Sequence, residues 1–181
     1  MSDAPTQRLF FALWPDTGIR QAMQKRSRLA VRKAGGRPVL PRNYHVTLAF
    51  LGAVPRARFN DICAAAHGIH WETFELALDR FGYWPRPKLL WLGASAPPRP
   101  LHDLVEAIWT AMADLGFERE QRIFRPHVSL CRKLHRQPEL DPPEAVSWSV
   151  DSFALVESET DPRGSRYAVA ARFSQAHVLT Q

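Results

Sequence analysis

Tyr44-His45-Val46-Thr47-Leu48-Ala49-Phe50-Leu51 is the stretch on which the fold turns. It sets a histidine and a hydroxyl two residues apart in an otherwise apolar run, the pattern of a strand with one working face. Side chains alternate across a strand. Strict alternation therefore sends His45, Thr47 and Ala49 to one side, and Val46, Leu48 and Phe50 to the other, into a core. Alone, a His-x-Thr pair is weak evidence, because short motifs recur by chance. Pro126-His127-Val128-Ser129-Leu130-Cys131-Arg132 changes its weight: His-Val-hydroxyl-Leu returns about eighty residues further on.

Outward from the motifs, the order of elements repeats as well. Arg8 to Trp14 is an aromatic and apolar run that reads as a buried strand ended by Pro15. A helix follows, capped by Asp16 and stopped at Gly35-Gly36, with Ile19, Met23 and Ala30 on one stripe. The first motif strand comes next. In the second half, Lys88 to Ala94 is again a buried strand. Leu101, Leu104, Val105, Ile108, Met112 and Leu115 form a helical stripe closed by Gly116, and the second motif strand follows. Strand, helix, motif strand thus occurs twice, the mark of an internal duplication. Two copies about a pseudo-twofold would bring both motifs to one groove.

Between and after the units, Pro55 to about Gly68 fits a helix with Pro55 in its first turn. Trp71 to Trp84 reads as a long strand or a bent strand pair. Gln137 to Pro143 is a Pro-rich loop. Two final strands, Val146 to Glu157 and Arg166 to Phe173, flank a turn at Asp161-Pro162-Arg163-Gly164. The expected fold class is α+β: a single domain over residues 1–181 with two lobes, antiparallel sheets lining a central cleft and helices outside.

Composition narrows the function. The chain has 181 residues, 45% of them hydrophobic, and carries 24 Lys and Arg against 18 Asp and Glu, a formal +6. A basic globular chain suits a polyanionic partner such as nucleic acid. The first residues lack the basic-then-apolar pattern of a secretory leader, and no apolar run approaches the roughly 18 residues of a membrane span. A cytoplasmic protein is expected. Cys63 and Cys131 are far apart and support neither a disulfide framework nor a zinc ribbon. Alternation puts Cys131 on the His127 face, where it reads as filler rather than a nucleophile.

An imidazole titrates near pH 6.5, so two neighbouring ones readily provide one base and one acid. With hydroxyl donors beside them, the reaction class they suit is in-line displacement at phosphorus. One histidine takes a proton from water, the other gives one to the leaving oxygen, and Thr47 and Ser129 bond the non-bridging oxygens. There is no His-Glu-x-x-His, no Asp cluster and no Gly-x-x-x-x-Gly-Lys loop, so no metal or cofactor is called for. His67, His70, His102, His135 and His177 sit in no matching context and read as surface or helix-end residues. Tyr83, Trp84 and Phe124 are candidates to stack on a base, against the plainer reading of each as a core aromatic. A non-catalytic RNA- or nucleotide-binding module, or a two-histidine enzyme for another small cyclic phosphate, also fits these residues.

The tetrads His45-Val46-Thr47-Leu48 and His127-Val128-Ser129-Leu130 resemble the paired His-x-Thr/Ser-x motifs of the two-histidine phosphoesterases. More closely, the chain resembles the RNA 2′,3′-cyclic phosphodiesterases, historically called 2′-5′ RNA ligases. The likeness runs from Arg8-Leu-Phe-Phe-Ala-Leu-Trp-Pro to Leu155-Val-Glu-Ser-Glu. It implies metal-free opening of a 2′,3′-cyclic phosphate at an RNA end to a 2′-phosphate, with 2′-5′ RNA ligation, the reverse reaction, as an alternative; a cyclic nucleotide is a second candidate partner, and a monomer is expected. It also implies His45 as proton donor and His127 as acceptor; the nearly symmetric residues themselves leave the two roles open. Arg132 matches an arginine that follows the second family motif and would clamp the phosphate. Strict alternation places Arg132 on the wrong face, so it reaches the cleft only through a bend or bulge.

Overall fold

The computed structural model describes residues 5–161 and 164–175. His177, and Pro162 and Arg163 of the expected turn, lie outside them. In chain order the elements are β1 (Thr6–Leu13), α1 (Thr17–Ala34), β2 (Arg37–Pro38), β3 (Val46–Pro55), α2 (Phe59–His67), β4 (Phe74–Leu78), β5 (Arg80–Trp84), β6 (Leu89–Gly93), α3 (Arg99–Asp114), β7 (His127–Arg132), β8 (Val146–Val150), β9 (Ser152–Asp161) and β10 (Gly164–Ser174).

The duplication is written into the sheet. Strands run in the order β10-β9-β1-β3-β7-β6-β5, with β2 on the edge of β7, and every pairing is antiparallel. The order β9-β1-β3 mirrors β5-β6-β7, so the pseudo-twofold passes between β3 and β7. Those two strands meet at one pair, Val46 with Val128. The expected two sheets are therefore one bridged sheet with a lobe on each side. Each unit's helix backs the other unit's strands: α1 packs on β6 and β7, and α3 on β3. This exchange welds the lobes through a shared core that includes Leu9, Met23, Ile108 and Val128.

Local chemistry explains the elements. Asp16 Oδ1 accepts the Ile19 N–H at 2.8 Å, and Gly35 ends α1 in the left-handed conformation at φ 65°. Its buried stripe, Met23, Ser27, Ala30 and Ala34, recurs at helical spacing. β1 is apolar on both faces because both are covered. Leu9, Phe11 and Leu13 enter the main core, while Phe10 and Trp14 form a second cluster with Ala154 and Val156.

Three expectations change. Pro55 closes β3 rather than opening a helix; a turn of 3₁₀ helix intervenes and α2 starts at Phe59. The run from Trp71 is the strand pair of its two readings, but it breaks at Asp79, whose carboxylate accepts the Ser95 N–H, so β4 and β5 join different sheets. The run from Val146 breaks at Asp151: β8 pairs β4 in a separate ribbon, while β9 returns to the large sheet. Among the described residues no helix is long and apolar enough to cross a membrane.

A fourth change moves site residues. In β3, Thr47 faces Ala12 while Ala49 faces Phe11, leaving Leu48 as an extra residue. In β7, Ser129 faces Trp91 while Cys131 faces Leu90, leaving Leu130 extra. A bulge inverts the alternation beyond it. Ala49 and Cys131 therefore turn into the core, at 2% and 0% exposure, against the expectation that they share the histidines' face. Phe50, expected in the core, turns out toward the cleft with Arg132.

Candidate active site

Val46 and Val128 are fully buried, so the residues flanking them point the other way, into a cleft of about 1270 Å³ between the lobes. His45 and Thr47 line it from one lobe, His127 and Ser129 from the other. Among the described residues, nine arginines and Lys133 line the same cleft against a single acid, Glu120.

The two histidines are held alike. His45 Nδ1 lies 2.7 Å from the Asn43 carbonyl, and His127 Nδ1 lies 2.7 Å from the Arg125 carbonyl, two residues back in each case. A carbonyl only accepts, so each Nδ1 carries the hydrogen and each Nε2 is left to exchange a proton. His45 Nε2 is 3.1 Å from Thr47 Oγ1, whose hydroxyl donates to it when the ring is neutral.

Their surroundings differ. Trp14 stacks on His45 with centroids 5.5 Å apart, while Phe10 at 5.1 Å and Tyr167 at 5.2 Å close the cage. The residue beside His127 on the neighbouring strand is Gly93, and its ring instead meets Trp84 edge-on at 4.5 Å. Trp84 is backed by Trp91, which lies over Gly82; a Cβ there would come within 1.9 Å of the indole.

Burial pushes the His45 pKa down to about 4, against the pull of the Asn43 carbonyl, with smaller downward pushes from His127 and Arg132. His127 is also lowered, first by burial and then by Arg132, against the Arg125 carbonyl. Arg132 is thus an electrostatic neighbour of both rings, and the bulge at Leu130 is what brings it there.

The remaining candidates separate. Trp84 and Phe124 line the cleft. Tyr83 does not: adjacent residues on β5 point to opposite faces, and Tyr83 lines a different depression with Arg80 and Leu140. Sequence reasoning missed Phe50, which lines the cleft beneath the Arg8 guanidinium at 5.4 Å, and the Trp14–Tyr167 cage. Only the bulge, which alternation cannot reveal, would have exposed Phe50. Among the described residues no three of His, Cys, Asp or Glu gather as a metal site.

Residues 13–91 match the family model described as LigT like Phosphoesterase. The chain is 34% identical to the RNA 2′,3′-cyclic phosphodiesterase of Escherichia coli strain K12, over 93% of this chain and 96% of the relative. It is 31% identical to the protein of the same name from Thermus thermophilus, over 92% and 89%. A crystal structure of E. coli LigT complexed with 3′-AMP is similar at a TM-score of 0.86 and 33% identity, covering 98% of this chain and 100% of the other.

Proposed function

The chain belongs to the LigT-like phosphoesterase family, and we propose that it hydrolyses the 2′,3′-cyclic phosphodiester at RNA ends to a 2′-phosphomonoester. The observation that carries this reading is the repeated one. Two imidazoles, each with Nδ1 tied to a carbonyl two residues back, flank one cationic cleft. Such a pair can move two protons in one displacement.

Water attacks phosphorus in line with O3′. His127 Nε2 accepts its proton, and His45 Nε2 donates one to O3′ as the P–O3′ bond breaks, leaving the phosphate on O2′ and a free 3′-hydroxyl. Thr47, Ser129 and Arg132 hold the non-bridging oxygens as charge builds there. The low proton affinity of His45 in the free protein suits a donor once an anion is bound beside it, because a bound phosphate stabilises the imidazolium. Phe50, Trp84 and Phe124 offer flat surfaces for bases. One chain supplies both rings, and we propose that it works as a monomer in the cytoplasm.

The test is product identity. Given an RNA oligonucleotide ending in a 2′,3′-cyclic phosphate, ³¹P NMR should show a 2′-phosphomonoester alone, at a rate indifferent to EDTA. A 3′-phosphate product would reverse the proposed leaving group.

A further inference from the structure

Each motif histidine is reached through a connection that leaves a helix, skirts the cleft and ends at the carbonyl holding Nδ1: residues 35–44 after α1, and 115–126 after α3. Both present an exposed aliphatic side chain and an exposed arginine to the cleft. The first carries Leu40 and Arg42, the second Ile123 and Arg122. Leu40 is 51% exposed and Ile123 81%. A single exposed apolar residue calls for no explanation. Two of them on pseudo-equivalent connections, each beside a guanidinium and lining one cleft, do.

The connections are anchored rather than loose. Asn43 donates to the Ser165 carbonyl at 3.2 Å, and Arg119 makes a two-pronged pair with Glu106 at 2.5 and 2.7 Å. The cleft exceeds the roughly 300–1,000 Å³ of an ordinary small-ligand site. It therefore has room for more than the nucleotide that reacts.

We propose that these connections are a pair of jaws for the RNA strand on the 5′ side of the reacting phosphate: Leu40 and Ile123 pack on bases, and Arg42 and Arg122 pair with backbone phosphates. This rests on the reading that the substrate is an RNA end. Because the jaws end in the carbonyls of Asn43 and Arg125, a docked strand also steadies the two imidazoles, so the jaws act on kcat as well as on KM.

Two double variants test this, Leu40→Ser with Arg42→Gln, and Arg122→Gln with Ile123→Ser. Each is assayed on a 2′,3′-cyclic mononucleotide and on a cyclic-phosphate-ended RNA of about ten nucleotides. Binding of the same RNA bearing a 3′-phosphate is measured against salt. Each variant should lose at least about tenfold in kcat/KM on the RNA and stay within about twofold on the mononucleotide. The salt slope should flatten by about 0.7 for the one phosphate that each variant no longer neutralises. Equal losses on both substrates would make the jaws purely structural, and no loss on either would also overturn the proposal. If wild type turned over neither substrate, the proposed function would fail. The binding arm would still decide the jaws, since unchanged RNA affinity and slope in both variants would sink them.

Discussion

Val46 and Val128 face each other across the seam between the lobes, each one residue beyond a motif histidine. Their pairing fixes the geometry of the site. With both valines buried, the histidines on one flank and the hydroxyls on the other face the opposite side of a single ladder. The floor of the cleft is therefore made by the pseudo-twofold itself, and the connections 35–44 and 115–126 form its rim.

The acid and the base can be told apart by the leaving atom. A thiolate leaves without a proton, so replacing O3′ by sulfur removes the need for an acid. His45→Ala should be rescued by about a hundredfold or more on a 3′-thio cyclic substrate relative to the oxygen one, and His127→Ala should not. Rescue of His127→Ala instead would exchange the two roles.

Burial lowers the pKa of both rings, so the state with one protonated and one neutral peaks between two lowered values. The kcat/KM profile, which reports the free protein, should be a bell with its maximum below pH 6.5. The kcat profile should shift upward, because bound phosphate favours the imidazolium. A kcat/KM maximum above pH 7 would contradict the burial argument.

The same shift is a statement about stability. A histidine whose folded pKa lies below its unfolded value contributes fully above about pH 6.5 and loses that contribution as pH falls toward the folded pKa, near 4 for His45. Up to roughly 3 kcal/mol should be lost across this window in urea unfolding. His45→Asn should show a shallower fall, and an equally steep one would assign the loss to other groups.

Arg132 is predicted to clamp phosphate and to lower both imidazoles. Arg132→Gln should weaken inorganic phosphate binding by about ten- to a hundredfold, the worth of a charged hydrogen bond. It should also move the kcat/KM maximum upward, since a cation that disfavours protonation has gone. Unchanged phosphate affinity would remove Arg132 from the site.

Periodicity carried much of this fold. The β1 run, the α1 cap at Asp16, the α3 stripe and the repeated motifs were legible because each depends on local spacing. The bulges at Leu48 and Leu130 were not. A bulge is set by how one strand registers against its neighbour, and nothing in Thr47-Leu48-Ala49 or Ser129-Leu130-Cys131 marks an extra residue. That one hidden feature turns Ala49, Phe50 and Cys131 to the faces opposite those that strict alternation predicts. It also supplies the bulge on which Arg132 depended. Tyr83 lies off the cleft for a simpler reason: it neighbours Trp84 on one strand, and only one of the two can face the cleft.

The central claim is that one imidazole from each lobe works on the same phosphorus atom. Its most direct test is the initial rate on a cyclic-phosphate-ended RNA for wild type, His45→Ala, His127→Ala and the double variant, each confirmed as folded by circular dichroism. Each single variant should lose about a hundred- to ten-thousandfold, and the double should be little slower than the worse single, because the two groups act as a unit. A single variant that keeps the wild-type rate would contradict the account.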